Sequence, residues 1–186
     1  MRTQTEILKD ASPAGSKVKL FVAIVAGAYF LWAAVHPDEW RMIDGVNLVI
    51  HEAGHLFFKP LGEFLMIAGG SLLQVIVPLV FAGYFFLNRK YFSCSLVLFW
   101  VGESLLNVSV YAADSVLMQL PLLGGNDSIH DWNYMLDRLG LLGQTAKVAF
   151  VIRALGTLFI ITAIAWAIHA SRTRPKSESK DIWKNF

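Results

Sequence analysis

Four long apolar runs decide what this chain can fold into. Residues 18–35 (VKLFVAIVAGAYFLWAAV), 64–87, 92–113 and 154–170 each approach the roughly 20 residues that a helix needs to cross the hydrocarbon of a bilayer. The second run is interrupted by Gly69-Gly70 and Pro78. In lipid, backbone polar groups must be satisfied within the chain, which leaves helices for segments of this kind. The expected fold is therefore an all-α polytopic membrane protein with about four transmembrane helices. Composition agrees: 16% of the 186 residues are charged, against about 25% in an ordinary soluble domain. A formal net charge of +2 is too small to suggest a nucleic-acid partner. The single cysteine, Cys94, excludes an internal disulfide framework and reads as a packing residue in its apolar run.

Basic residues set the expected topology. They gather before the first run (Lys9, Lys17, Lys19), between the second and third (Arg89, Lys90) and after the last (Arg172, Arg174, Lys176). If all three groups are cytoplasmic, the chain makes four full crossings with both termini inside. The expectation is an integral protein of the plasma (inner) membrane, with bilayer lipid as its first partner. Residues 1–17 read as a flexible cytoplasmic tail without a secretory-signal pattern. Residues 18–170 read as one membrane-embedded domain, and 171–186 as a basic cytoplasmic tail. The connector 36–44 and the segment 114–146 are the polar outer parts. Trp40 and Trp132 are expected at the membrane interface, with Lys147 and Arg153 snorkelling at the entry of the last run.

The segment 45–58 (GVNLVIHEAGHLFF) breaks this regularity. It has a helical pattern but is short, and Pro60 and Gly62 stop it. With four crossings already assigned, it must start and end on the outer side, as a re-entrant or half-inserted helix. Irregular backbone at that depth is tolerated only against protein or a watery cavity.

This short helix carries the chemistry. His51 and His55 are four residues apart and share a helix face, so both imidazoles can grip one Zn²⁺. Glu52 stands beside the first histidine and can take a proton from a zinc-activated water as general base. Ionisable side chains within an apolar helix at membrane depth are costly, and such groups are functional by default. The bland alternative is a polar helix packed under a loop, with its histidines satisfied by neighbours.

Zinc needs a third protein ligand. The candidates, in order, are His130, Asp131, Asp114 and Glu103. Asp131 also has a structural reading, since Ser128 and Asp131 are spaced like a capping box opening a helix over 129–139. Counting from residue 92 at 1.5 Å per residue, Glu103 lies about 17 Å in, near the midplane, and Asp114 about 33 Å along. A helix dipping from outside favours the outer candidates. Glu103, Asn107, Tyr111 and Asp114 fall within an arc of about 80° on the third run. That stripe is either a wall of the catalytic cavity, as ligand or supporting shell, or interhelical packing glue. Gln74, in AGGSLLQ, is a further polar contact, and the adjacent Gly-Gly lets two helices approach.

HEAGH in an apolar helix, a following glycine-containing span (AGGSLLQ), and later acidic residues near a Gly-Gly together resemble the site-2 protease family of intramembrane zinc metalloproteases, as a divergent, compact member. The resemblance covers mainly residues 46–131, and HEAGH is its specific part. It implies a multi-span fold, His51 and His55 as ligands, Glu52 as general base, and hydrolysis of peptide bonds in membrane-protein or peptide substrates. The family's usual third ligand is an aspartate in an LDG-type motif after a proline. Here Pro121-Leu122-Leu123-Gly124-Gly125 holds no aspartate, and Asp127, His130 and Asp131 follow.

The expected function is therefore a zinc-dependent, membrane-embedded endopeptidase. The alternative is a non-catalytic membrane scaffold or regulatory subunit with a structural metal site, in which Glu52 has no role as a base. A weaker third reading is metal transport, which a pair of histidines on one short helix suits less well than a fixed site.

Overall fold

The computed structural model describes residues 13–121, 123 and 129–172, with side chains from Ser16 onward. Six helices are present among them and no strand: α1 (Pro13–Val35), α2 (Met42–Phe58), α3 (Glu63–Leu87), α4 (Tyr91–Ala113), α5 (Asp131–Arg138) and α6 (Thr145–Arg172). Four stretches are long and apolar enough to cross a membrane: Ser16–Val35, Glu63–Leu87, Tyr91–Ala113 and Leu142–Arg172. The expected fold class is what the structure has. The last stretch begins earlier than the apolar run 154–170, because α6 continues through Lys147 and Arg153. Arg153 donates from Nη2 to the carbonyl of Ala34 at 3.1 Å, tying α6 to the end of α1.

The long helices present apolar side chains outward, among them Phe21, Ile24 and Val25 on α1 and Phe150, Leu158 and Ile161 on α6. Such exposure is costly in water and favourable in lipid. Inside, Phe99, Val101, Ile160, Ala163 and Ala167 are fully or nearly fully buried, and the Phe30 and Phe99 rings stack at 5.0 Å. Cys94 belongs to this core. Helices α4 and α6 meet at two glycines. A β-carbon on Gly102 would come within 2.8 Å of the Gly156 carbonyl oxygen, and one on Gly156 within 2.8 Å of that of Gly102. Small residues at a membrane-helix crossing allow this approach, and van der Waals packing then holds it.

Contacts along the bundle fix which ends lie together. Ser16 Oγ donates to the Ser171 carbonyl at 2.7 Å, and Lys19 Nζ sits 5.6 Å from the Phe92 ring centroid. The start of α1, the end of α6 and the turn between α3 and α4 therefore share one end. Lys17, Lys19, Arg89, Lys90 and Arg172 gather there. Lys9, Arg174 and Lys176, and most of the two expected tails, lie outside the described residues.

Helix α2 has 17 residues and differs from the long four. The Asp44 carboxylate accepts the Arg41 backbone N–H at 2.6 Å, satisfying one free donor at its start. It ends in the turn Lys59–Leu61, which contains Pro60, and Gly62 turns the chain at φ +99°, where a side chain would be strained. Helices α2 and α3 then form a hairpin, pairing His55 with Met66 and His51 with Gln74. At its other end, Asn47 meets Trp100 and Glu103, in the middle of α4. The short helix therefore runs within the half of the bundle away from the basic end.

Candidate metal centre

Close backbone contact brings α2 and α3 together at the HEAGH motif. A β-carbon on Gly54 would stand 2.2 Å from the Gly69 carbonyl oxygen, and one on Gly70 only 2.4 Å from Nε2 of His51. The Gly-Gly of α3 thus does what its spacing suggests: it lets the histidine helix lie directly on its neighbour. Space for the His51 imidazole exists because Gly70 has no side chain.

Three donors converge here. His51 Nε2 is 2.9 Å and His55 Nε2 3.3 Å from Oδ2 of Asp131. Ligand atoms of all three residues lie within 4.8 Å of one another. Four-coordinate metal bonds of about 2.0–2.2 Å place neighbouring donors roughly 3.3–3.6 Å apart, close to what is seen. The ring orientations also suit a metal. His55 Nδ1–H donates to the Met66 carbonyl at 2.9 Å, and His51 Nδ1–H to Gln74 Oε1 at 3.3 Å. Each imidazole has one nitrogen held by an acceptor and presents the other to the centre, as metal-binding histidines do. The set of two imidazoles and one carboxylate can hold a metal ion.

Electrostatics reflect the same geometry. The hydrogen bond to Asp131 raises the His55 pKa to about 9, against the lowering effect of burial and with help from the Met66 carbonyl. Burial would raise the Asp131 carboxyl. Hydrogen bonds from His51 and His55 outweigh that and hold it below the ordinary carboxylate range. A metal ion would take over the positive charge that a protonated imidazole otherwise provides.

The donor that joins the histidine pair is Asp131, second in the expected order, and not His130. His130 is the N-cap of α5: its Nδ1 accepts the Asn133 backbone N–H at 3.2 Å, while Nε2 pairs with Asp114 Oδ2 at 3.3 Å. A capping role in this segment was foreseen, but for Ser128, which lies outside the described residues, as does Asp127. Its neighbours also hold α5 in place. The Asp131 backbone N–H donates to the Tyr111 hydroxyl at 3.1 Å, and Trp132 Nε1 donates to Ser71 Oγ at 3.1 Å. Asn133 Nδ2 donates to the Ser115 carbonyl at 2.8 Å. Trp132 is thus half-buried against α3. HDWN is a four-residue clamp that delivers one carboxylate.

The polar stripe on α4 divides into separate roles. Asp114 accepts the backbone N–H groups of Gln119 and Leu120, both at 2.9 Å, and so shapes the turn after α4 as well as holding His130. Glu103 is buried and accepts from Asn47 Nδ2 at 2.6 Å, in the bundle's interior rather than at the metal centre. Asn107 and Tyr111 line a cavity. A chain of hydrogen bonds runs from His51 to Gln74, on to Asn107 (2.8 Å), to Asp44 (3.0 Å) and to the start of α2. It fixes the direction of the Gln74 amide, and through it the His51 ring.

The cavity holds about 190 Å³. His51, Glu52 and Tyr111 line it together with Pro37–Trp40 of the connector and with Leu120, Pro121 and Leu123. Glu52 is exposed into this space and its carboxylate makes no hydrogen bond or ion pair among the described residues. Contacts of the Met66 carbonyl, Ser71 and Asn133 carry no sequence signal, because the first is a backbone group and the others become visible only once α5 is docked.

No family model matches this chain, and no curated protein or solved structure matches it either.

Proposed function

We propose that this protein is a zinc-dependent, membrane-embedded endopeptidase that hydrolyses peptide bonds of membrane-associated substrates. The observation that carries the reading is a His51–His55–Asp131 donor set whose His51 lines the same cavity as Glu52, a carboxylate without a hydrogen-bond or ion-pair partner among the described residues. Two nitrogens and one carboxylate oxygen suit zinc, and three protein ligands leave the fourth position that a catalytic site requires. The resemblance to the site-2 proteases points the same way.

Zinc, when bound, makes water acidic near neutral pH and polarises a carbonyl. The chain's own groups do the rest. Glu52 accepts a proton from the attacking water and returns it to the departing amine. His51, His55 and Asp131 hold the ion, with Gln74 and the Met66 carbonyl setting the two ring orientations. Tyr111 supports Asp131 through its backbone N–H. The basic end of the bundle is proposed as the cytoplasmic side of the plasma membrane, which puts the centre in the outer half.

The test is metal analysis and peptide cleavage by purified protein in detergent. The wild type is expected to hold one zinc and to cleave an unstructured or membrane-derived peptide. Glu52→Gln is expected to keep zinc and lose cleavage. Zinc retained by both proteins, with no Glu52-dependent cleavage, would identify the structural metal site of a scaffold instead.

A further inference from the structure

The cavity over His51 and Glu52 is strongly acidic. Asp38, Glu39, Asp44 and Glu52 line it, and among the described residues no lysine or arginine does. Arg41 turns away from it, donating to the backbone carbonyls of Glu39 (2.8 Å) and His36 and lying 5.3 Å from the Trp32 ring. Asp44 is engaged by the Arg41 backbone N–H and by Asn107. The carboxylates of Asp38, Glu39 and Glu52 are exposed and have no hydrogen-bond or ion-pair partner among the described residues. A divalent ion held by Asp131 contributes one net positive charge, so the space stays negative.

The walls carry a second message. Leu48, Val110, Leu120 and Pro121 make much of the lining apolar, and the Trp40 indole, 69% exposed, stands on the rim beside Asp38 and Glu39. A volume of about 190 Å³ corresponds to roughly six waters, the room of one long side chain. Apolar walls with carboxylates and an aromatic face suit a side chain with an aliphatic stem and a cationic head. Low-dielectric walls also focus the field of the carboxylates into the cavity.

We propose that the cavity selects a peptide segment bearing a lysine or arginine side chain, entering between the connector 37–40 and the side chains of Leu120, Pro121 and Leu123. This deepens the endopeptidase reading and rests on it for the peptide nature of the ligand. Asp38 and Glu39 set the charge preference at the rim.

The experiment uses zinc-loaded Glu52→Gln protein and two fluorescent apolar peptides that differ only in a central Lys or Glu. The Lys peptide is expected to bind about tenfold tighter near physiological salt, a modest gain for partly screened charges. In the Asp38→Asn/Glu39→Gln double variant, both changes being at exposed positions, that ratio is expected to fall towards one. Equal or reversed affinities in the Glu52→Gln background would overturn the proposal. In parallel, wild-type protein is given a randomised peptide mixture and its cuts are mapped. Glu52-dependent cuts enriched in neighbouring Lys or Arg support the proposal. Cuts without that enrichment overturn it and leave the endopeptidase reading standing. Lys-selective binding with no Glu52-dependent cut retains the cationic site and sinks the endopeptidase.

Discussion

A methyl group on Gly70 would lie 2.4 Å from Nε2 of His51, the atom that faces Asp131. The glycine therefore defines where the imidazole can be. Gly70→Ala is expected to push the ring off the centre and weaken metal binding by about 10–100-fold, the range typical of disturbed supporting groups. The helices remain, because the clash is with a side chain. Competition titration against a chromophoric chelator measures the loss, and unchanged affinity would show that the ring position does not matter.

Gly54 makes the contrasting case, because its close neighbour is the Gly69 backbone at 2.2 Å. Gly54→Ala must separate α2 from α3, at a cost of at least about 1–3 kcal/mol for overpacking. Gly102→Ala is expected to cost a similar amount at the α4–α6 crossing while leaving the metal affinity of the folded protein unchanged. Thermal unfolding in detergent, paired with the same titration, separates the two effects.

Removing candidate ligands one at a time should sort them. Asp131→Ala is expected to abolish tight zinc binding. His130→Ala is expected to keep it with a loss of about tenfold, since it loosens only the cap that places Asp131. Glu103→Gln should bind as the wild type does. Equal loss in the Asp131 and His130 variants would mean that both donate to the ion.

Metal uptake should depend on pH through His55. Its pKa is raised from 6.5 to about 9 in the metal-free protein, so the His55–Asp131 bond stabilises the empty fold fully below pH 6.5 and is lost as pH rises through 9. Metal needs the neutral ring. Apparent affinity is therefore expected to rise by about tenfold per pH unit between 6.5 and 9, with one proton released from His55 per ion, and to level off above. Affinity independent of pH across that window would contradict the pairing.

Much of the fold was legible because lipid imposes length and polarity on each segment separately. The four apolar stretches, the short HEAGH helix between the first two, and the stop at Pro60 and Gly62 are all local features. Within the site, His51, Glu52 and His55 were equally legible, since their relation is internal to one helix. The docking of Trp132 was not legible for the opposite reason: its partner Ser71 lies 61 positions away, and no local pattern announces it.

The sequence by itself determined a chain of apolar helices and a pair of imidazoles on one face, because helical periodicity is set by neighbours along the backbone. Only the tertiary structure decided that Asp131 rather than His130 meets that pair. The two residues are adjacent and both can bind metal. Which one points inward depends on how α5 is clamped by Asp114, Tyr111, Ser71 and Ser115, contacts between segments that short-range chemistry does not specify.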